Sequence, residues 1–367
     1  MKINSISLES FRNIENMLLL PDSEVNVIYG HNAQGKTNIL ESIWLFTGCK
    51  SFRGSKDSEF IKFNSEFSKI SLNFEDTVRE KKAEIIISDK KKAFLNGVEK
   101  KGTTEFIGEF YAVIFSPSHL SLIKDGPNVR RKFLDIAICQ LKPNYAKTLG
   151  AYRKVILQRN SLLKDIQYHS ELYDILDVLD EQLAKYASVI INERIKYLNL
   201  LSDKSEKIYS GISENKEKLS VKYQCGLEVI KNKEVNDIYD FMTEKIKSSR
   251  KEDIILKSTS VGPHRDDIEI NIDNMSARSF GSQGQQRSCA LALKLGESEI
   301  IKDITGENPV ALLDDVMSEL DEKRQDYVLN HIKERQVFLT CCDPSQVLRL
   351  CKGKSFLIDS GQIKEEK

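Results

Sequence analysis

The chain has 367 residues, 40% hydrophobic and 30% charged, a composition that can fill the cores of two or more domains and excludes a disordered chain. Lys plus Arg and Asp plus Glu number 55 each, so only the placement of charge, not its total, bears on a polyanionic partner. No apolar run reaches the roughly 18 residues of a bilayer span; the seven cysteines form no CxxC pair and no signal peptide opens the chain, so a reduced, cytoplasmic protein with no membrane partner is expected.

In chain order, the first third reads as strands with one early helix. Lys2–Leu8 (KINSISL) alternates as a half-buried strand does, and a second strand runs through VNVIY into Gly30. Lys69–Phe74 (KISLNF) and Ala83–Ser88 (AEIIIS) read as two more, and Asn96-Gly97 in FLNGVE is the strongest short hairpin signal. From Asn128 to about Ser249 alternation stops. Tyr145–Ile166 reads as a long helix. A second helix, over Glu181–Lys204, carries Leu183, Ala187, Ile190, Ile191, Ile195, Leu198 and Leu201 at helical spacing, which marks a buried face rather than a site. The last third returns to strand–helix alternation. It holds a strand in DDIEINID, an amphipathic helix over Gln285–Ile301, a continuous apolar strand in PVALLDD, another strand in VFLTCCD and an edge hairpin in FLIDSGQI.

The first chemical motif is GHNAQGKT, Gly30–Thr37, which fits G-x-x-x-x-G-K-[ST]. Glycines let the backbone wrap a phosphate closely. The N–H groups of Gly30, His31, Asn32, Ala33, Gln34 and Gly35 and the following helix N-terminus point at negative charge. Lys36 reaches the β- and γ-phosphates, and the Thr37 hydroxyl ligates Mg²⁺. A second acidic element must hold that metal, and Asp314 and Asp315 end the apolar strand of PVALLDD. If Lys36 and Asp314 serve one nucleotide, the two ends of the chain fold together as one head and the helical middle is an excursion from it. The third motif, SQGQ (Ser282, Gln283, Gly284, Gln285), opens a helix. Ser282 suits an N-cap with Gln285 as its capping-box partner, and a helix start of this kind also suits phosphate. In GPHRDD, Gly262-Pro263 reads as a turn whose charges cap the next strand, rather than His264 with Asp266 and Asp267 as a metal site.

Taken together, P-loop, S-x-G-Q, acidic strand end and SELD resemble the head of ABC-type ATPases. The stretches FRNIENM, GKTNILESIWLFTGCKSFRG, IFSPSHLSLIKDGPNVRRKFLD, YRKVILQRNSLLK, STSVGPHRDD and SQGQQRSCALALKLGE are similar to the RecF family of bacterial recombination and repair proteins, over nearly the whole chain. The resemblance implies an α/β fold: an ABC-type P-loop ATPase head, a mixed sheet with flanking helices, from residues 1–127 plus 250–367, with a mostly helical lobe inserted at 128–249. It implies ATP and Mg²⁺ as cofactors and ATP-dependent head-to-tail homodimerisation on DNA. In that dimer Ser282–Gln285 close on the nucleotide of the other subunit and the D-loop, Ser318 and Asp321, crosses the interface. It also implies weak, DNA-stimulated ATP hydrolysis used as a switch, with Lys36 and Asp315 as catalytic residues and Thr37 and Asp314 on the metal. The partners implied are RecO and RecR, in loading recombinase at replication gaps.

The chain departs from the broader pattern at three places. Asp315 stands where a longer Glu is usual, Cys341 and Cys342 follow the strand where a switch His is usual, and Ser118 and His119 stand where acidic residues are expected. These differences favour slow, switch-like hydrolysis over a fast motor. Charge is clustered: Lys90, Lys91 and Lys92 with neighbouring lysines beside the hairpin, Arg130 with Arg131 and Lys132, and Arg250, Lys251 and Lys257. Arg53 and Arg12 each follow a Phe near the nucleotide motif. Arg53, Lys90–Lys92, Arg130 and Arg131 are the candidate contacts to gapped, single-stranded or duplex DNA, with little sequence specificity because no base-reading module is visible. Two other readings share the P-loop. A transporter's nucleotide-binding subunit leaves the inserted helical stretch unexplained, and a metabolic kinase leaves SQGQ and SELD unexplained.

Overall fold

The computed structural model describes residues 1–166, 169, 171–225, 234–344 and 353–367. They form two compact units, Met1–Leu120 with Gly211–Asn215 and Ala290–Lys367, and Ser121–Ser210 with Lys216–Cys289. In chain order the first unit contributes β1 (Lys2–Phe11), β2 (Ile14–Leu19), β3 (Val25–Tyr29), α1 (Lys36–Trp44), β4 (Ser68–Glu75), β5 (Glu80–Ile87), β6 (Lys91–Leu95), β7 (Val98–Lys100) and β8 (Ala112–Phe115). The second adds α2 (Ser121–Lys124), α3 (Pro127–Leu141), α4 (Pro143–Asp165), α5 (Leu172–Ile212), β9 (Leu219–Gln224), α6 (Val235–Leu256), β10 (Asp267–Ile272), β11 (Met275–Ser276) and α7 (Ala277–Phe280). Then follow α8 (Gln283–Thr305), β12 (Val310–Asp314), α9 (Glu322–Ile332), β13 (Val337–Cys341), β14 (Gly353–Asp359) and β15 (Gln362–Glu366).

The first unit holds two six-stranded sheets. One is antiparallel, in the order β2-β1-β4-β5-β6-β7. Its strands alternate buried and exposed residues, as a sheet with one wet face must. Its β6–β7 turn is Asn96-Gly97, with φ of 51° and 79°, the two left-handed positions that a type I′ hairpin demands. The other sheet runs β15-β14-β3-β13-β12-β8, with β14, β3, β13, β12 and β8 parallel and β15 antiparallel at the edge. This is the expected mixed sheet of an α/β head. β8 and β13 are buried along their whole length and β12 at all but its last residue, which is why they read as unbroken apolar runs. Strand β3 lies between β13 and β14, so both ends of the chain build one sheet. Gln336 adds a second tie by accepting from the Ile3 N–H at 2.6 Å and donating to the Ile3 carbonyl at 3.0 Å.

The second unit is mostly helical. Pro127 and Pro143 each stand at the start of their helix, where the missing N–H costs nothing. Of the α5 stripe, all but the half-buried Ile195 are buried. Its core also carries charge: Arg159 of α4, fully buried, donates to Asp180 of α5 at 2.7 Å and to Asp253 of α6 at 2.7 Å, so one guanidinium fastens three helices.

The expected return to the head at residue 250 is corrected to Ala290. The cause is a small sheet that pattern reading missed: β9, inside the lobe, pairs with β10 from Asp267↔Gln224 to Ile272↔Leu219, and β10 pairs with β11. That sheet keeps 250–289 in the second unit, which also begins at Ser121 rather than 128.

Candidate nucleotide-binding site

The register of the mixed sheet lines up the carboxyl ends of three strands. Thr340 of β13 stands opposite both Ile28 of β3 and Asp314 of β12, and Cys341 opposite Tyr29. Open α/β sheets take ligands at such ends, and Gly30–Thr37 leaves β3 there. Gly30 has φ of 144°, and a Cβ on it would lie 2.3 Å from the Ile358 carbonyl oxygen, so no other residue fits. The loop is held from outside. The Gln34 carbonyl accepts from Asn13 Nδ2 at 3.0 Å and from the Gly361 N–H at 3.1 Å, while Gln34 Oε1 accepts from the Ser360 N–H at 2.5 Å. Lys36, buried, turns its ammonium back into the loop, donating to the carbonyls of Gly30 at 2.6 Å and His31 at 2.9 Å. A cationic tip inside a glycine-bounded loop at the start of a helix fits a polyphosphate.

The oxygen donors sit beside it. Thr37 Oγ1 donates to Asp314 Oδ1 at 2.7 Å although the residues are 277 apart in sequence. Thr340 Oγ1 donates to the same Asp314 oxygen at 2.9 Å and accepts from the Asp315 N–H at 2.9 Å. Asp315 adopts φ of 52° and is exposed, and Ser318 Oγ donates to its carbonyl at 2.9 Å. Asp315 is therefore fixed on both sides of its backbone with its carboxylate outward. A hydroxyl and a carboxylate side by side are the hard oxygen ligands that Mg²⁺ takes from protein. Thr340 is the residue that sequence reasoning undervalued: a buried β-branched hydroxyl at the end of a parallel strand is a signal, but only the register connects it to Asp314. The adjacent Cys342 Sγ donates to Asn32 Oδ1 at 3.2 Å and accepts from Lys36 Nζ at 3.8 Å. Burial pushes the Cys341 thiol up to about 12, leaving it protonated and inert.

A buried carboxylate that pattern reading missed lies on α1. Glu41 is 0% exposed. It takes Arg12 Nε at 2.8 Å, Ser51 Oγ at 2.5 Å and Arg53 at 3.5 Å. Arg12 also lies over the Phe60 ring, 5.1 Å from its centroid. Neither arginine is a loose surface cation. Arg53 is further held by Asn38 Oδ1 at 2.9 Å but keeps an exposed side.

In the second unit, Ser282–Gln285 form a reciprocal capping box at the start of α8: the Gln285 N–H donates to Ser282 Oγ at 3.2 Å and the Ser282 N–H to Gln285 Oε1 at 2.7 Å. Ser282 and Gln283 are exposed, and Gly284 and Gln285 half-buried. In the first unit Asp321 N-caps α9 through the Arg324 N–H at 3.0 Å and, like Ser318, is exposed.

The basic candidates divide. Lys90 and Lys92 are exposed at the β5–β6 turn, and Lys91 pairs with Asp57 at 3.0 Å. Arg130 is corrected as a DNA contact. It is buried and bidentate on Asp267 at 2.7 and 2.8 Å, and it donates to the Asp125 carbonyl at 2.7 Å, because α3 is fastened to β10 through it. Arg250 is likewise spent on Asp177 at 2.5 Å and Asp180 at 2.7 Å. Among the described residues no group of three or more His, Cys, Asp and Glu could hold a metal ion; in GPHRDD, Asp267 caps the Ile268 N–H at 2.7 Å but also pairs with Arg130, and Asp266 accepts from Tyr223. No helix among them is long and apolar enough to cross a membrane.

Comparison with known proteins agrees with this geometry. Residues 2–353 match the family described as RecF/RecN/SMC N terminal domain. The DNA replication and repair protein RecF of Clostridium acetobutylicum is 42% identical over 369 residues, covering 100% of both chains. That of Agathobacter rectalis is 40% identical, covering 99% of both. Among solved structures, the recombination mediator protein RecF-ATP of the RecFOR pathway superposes with a TM-score of 0.92 at 40% identity, covering 100% of this chain and 97% of that one. The Smc head domain of Pyrococcus furiosus, bound to the C-terminal domain of ScpA, has a TM-score of 0.56 at 16% identity and shares the fold. With full-length likeness in sequence and structure, and with the phosphate loop and acidic strand end brought together, the chain belongs to the RecF family of the RecF/RecN/SMC ATPases.

Proposed function

We propose that the chain is an ATP-dependent DNA-binding switch of recombinational repair and replication-gap processing. Binding of ATP draws two copies together head to tail on DNA, and slow hydrolysis releases them. The observation that carries this reading is the hydrogen bond of Thr37 Oγ1 to Asp314 Oδ1 at 2.7 Å, which joins the P-loop to the acidic strand end as one donor set. Lys36 and the N–H groups of Gly30–Gly35 would hold the phosphates, and Thr37 and Asp314 would hold Mg²⁺, which supplies charge neutralisation between phosphate oxygens when bound. Asp315 accepts the proton of the attacking water on its carboxylate, and Thr340 holds Asp314 and Asp315 in place. Ser282–Gln285 of a second copy complete the site, and Ser318 and Asp321 face that copy. Exposure of Ser282, Gln283, Ser318 and Asp321 supports this trans role.

The relatives act in DNA replication and repair and in the RecFOR pathway, and by that likeness RecO and RecR are the proposed partners, in the cytoplasm. Full-length coverage by those relatives favours this over a transporter subunit or a metabolic kinase. Lys90, Lys92 and the exposed side of Arg53 are the proposed DNA-binding groups on the first unit. Anisotropy with gapped duplex, with and without ATP, together with turnover, tests the reading. ATP-enhanced binding with turnover below about one per second is expected. ATP-indifferent binding, or turnover far above that rate, would overturn it.

A further inference from the structure

Within the second unit lies a cavity of about 220 Å³ that the nucleotide chemistry does not use, walled by α3, α4, α5 and the turn before β10. Its charged lining is Arg131, Lys132, Asp135, Arg153 and Arg194, with His264 beside them. The lining thus holds four cations and one carboxylate, with a second carboxylate, Asp266, 4.0 Å from Arg194. The lining carboxylate is heavily engaged: Asp135 accepts from Arg194 at 2.8 Å, from Tyr145 at 2.6 Å and from Arg153 at 3.4 Å. Arg131 is held instead by neutral oxygens, the Asp266 carbonyl and Asn128 Oδ1, so its position is fixed without a carboxylate taking up its donors. Lys132 and Arg153 are exposed at the mouth. Tyr152 Oη and His264 Nδ1 are 2.7 Å apart, and His264 Nε2 is 3.0 Å from the Thr259 carbonyl. With Nε2 donating to that carbonyl, Nδ1 accepts from Tyr152 and the imidazole is neutral. Burial and the neighbouring Arg265 and Arg131 lower its pKa, which keeps it so. Burial and, after it, the Arg194 charge lower the Arg131 pKa against the raising effects of Asp267, Asp266 and Asp135.

We propose that this cavity binds a phosphate group, with Arg131 as the fixed guanidinium at its base and Lys132 and Arg153 closing over it. A preset guanidinium in a small concavity suits the tetrahedral oxygens of phosphate better than a flat basic face does. The phosphate is either a backbone phosphodiester of DNA or free phosphate. This deepens the proposed DNA-binding role but needs neither ATP nor a second copy.

The test uses the full chain without nucleotide. Arg131 and Arg194 are held in the fold, so the variants are Lys132→Ala with Arg153→Ala, with circular dichroism as the check on folding and Lys90→Ala with Lys92→Ala as the comparison pair. Two arms are read: the affinity for labelled duplex across a salt series, and the shift in Tm produced by millimolar inorganic phosphate. If a backbone phosphate fills the cavity, the double variant binds duplex about tenfold more weakly, and its salt slope falls by about 0.9 for each phosphate no longer neutralised. If free phosphate fills it, duplex binding is unchanged but the phosphate-induced Tm rise of the wild type disappears. A double variant that matches the wild type in both arms overturns the site. Wild type that binds no DNA would count against the proposed function, while the phosphate arm still decides the cavity.

Discussion

Thr340 shows how much one hydroxyl can govern. It is 1% exposed and bonds at once to the Asp314 carboxylate and the Asp315 N–H, so it sets the spacing of the two acids. Thr340→Val keeps the shape and removes both bonds. Loss of such a supporting interaction lowers metal-dependent activity by about 10–100-fold. ATP turnover is expected to fall in that range with ATP affinity nearly unchanged, and unaltered turnover would remove Thr340 from the site. Asp266 carries a second prediction. Burial raises its pKa from 3.8 to about 6, against the lowering effects of Tyr223, Arg194 and Arg131. A carboxyl whose folded pKa stands above its unfolded one contributes stability that is complete below about pH 4 and lost as pH rises to 6, worth about 3 kcal/mol at most. Relative to Asp266→Asn, the wild type should therefore gain stability as pH falls from 7 to 4.5 in thermal unfolding. A constant difference would contradict the assignment.

Among the elements, helices α4, α5 and α6 meet through Arg159, Asp180 and Asp253. Arg159→Met leaves Asp253 buried without its cation and Asp180 with Arg250 alone, which costs about 3–5 kcal/mol; urea unfolding should register that loss, and a change below about 1 kcal/mol would mean the helices do not depend on the pair. Such polar fastenings mark where sequence legibility ended. The apolar stripe of α5 was readable because Leu183, Ala187 and Ile190 recur at helical spacing, whereas nothing in the sequence around Arg159 and Arg194 marks them as buried. Strands β12 and β13 announced themselves as apolar runs. β9 did not: LSVKYQ alternates, but six residues that follow a 41-residue helix are a short signal, and its partner β10 begins only at Asp267, beyond the whole of α6. The place of the Gly30–Thr37 motif at the end of a strand, a local pattern, was legible, as were the strand end at Asp314 and the capping box of Ser282. The Glu41 cluster was not, since Arg12, Ser51 and Arg53 converge on it only after folding. The DNA candidates fared worst: charge in sequence cannot separate an exposed Lys92 from an Arg130 already spent on Asp267.

For the molecule as a whole, the two ends of the chain build one mixed sheet whose strand ends hold Lys36, Thr37, Asp314 and Asp315, while the exposed helix start at Ser282 belongs to the inserted unit. In the proposed function, the Gly30–Thr37 loop and the exposed S-x-G-Q start are the two halves of a site that a second copy completes. The most direct measurement is mass in solution by light scattering, with and without ATP, for the wild type, Lys36→Arg and Ser282→Arg, with gapped duplex then added. An ATP-dependent dimer that DNA favours is expected, weakened in Lys36→Arg, with a Ser282→Arg protein that still binds ATP but stays monomeric. A wild type whose mass is indifferent to ATP and DNA, or a Ser282→Arg protein that dimerises normally, would contradict that expectation.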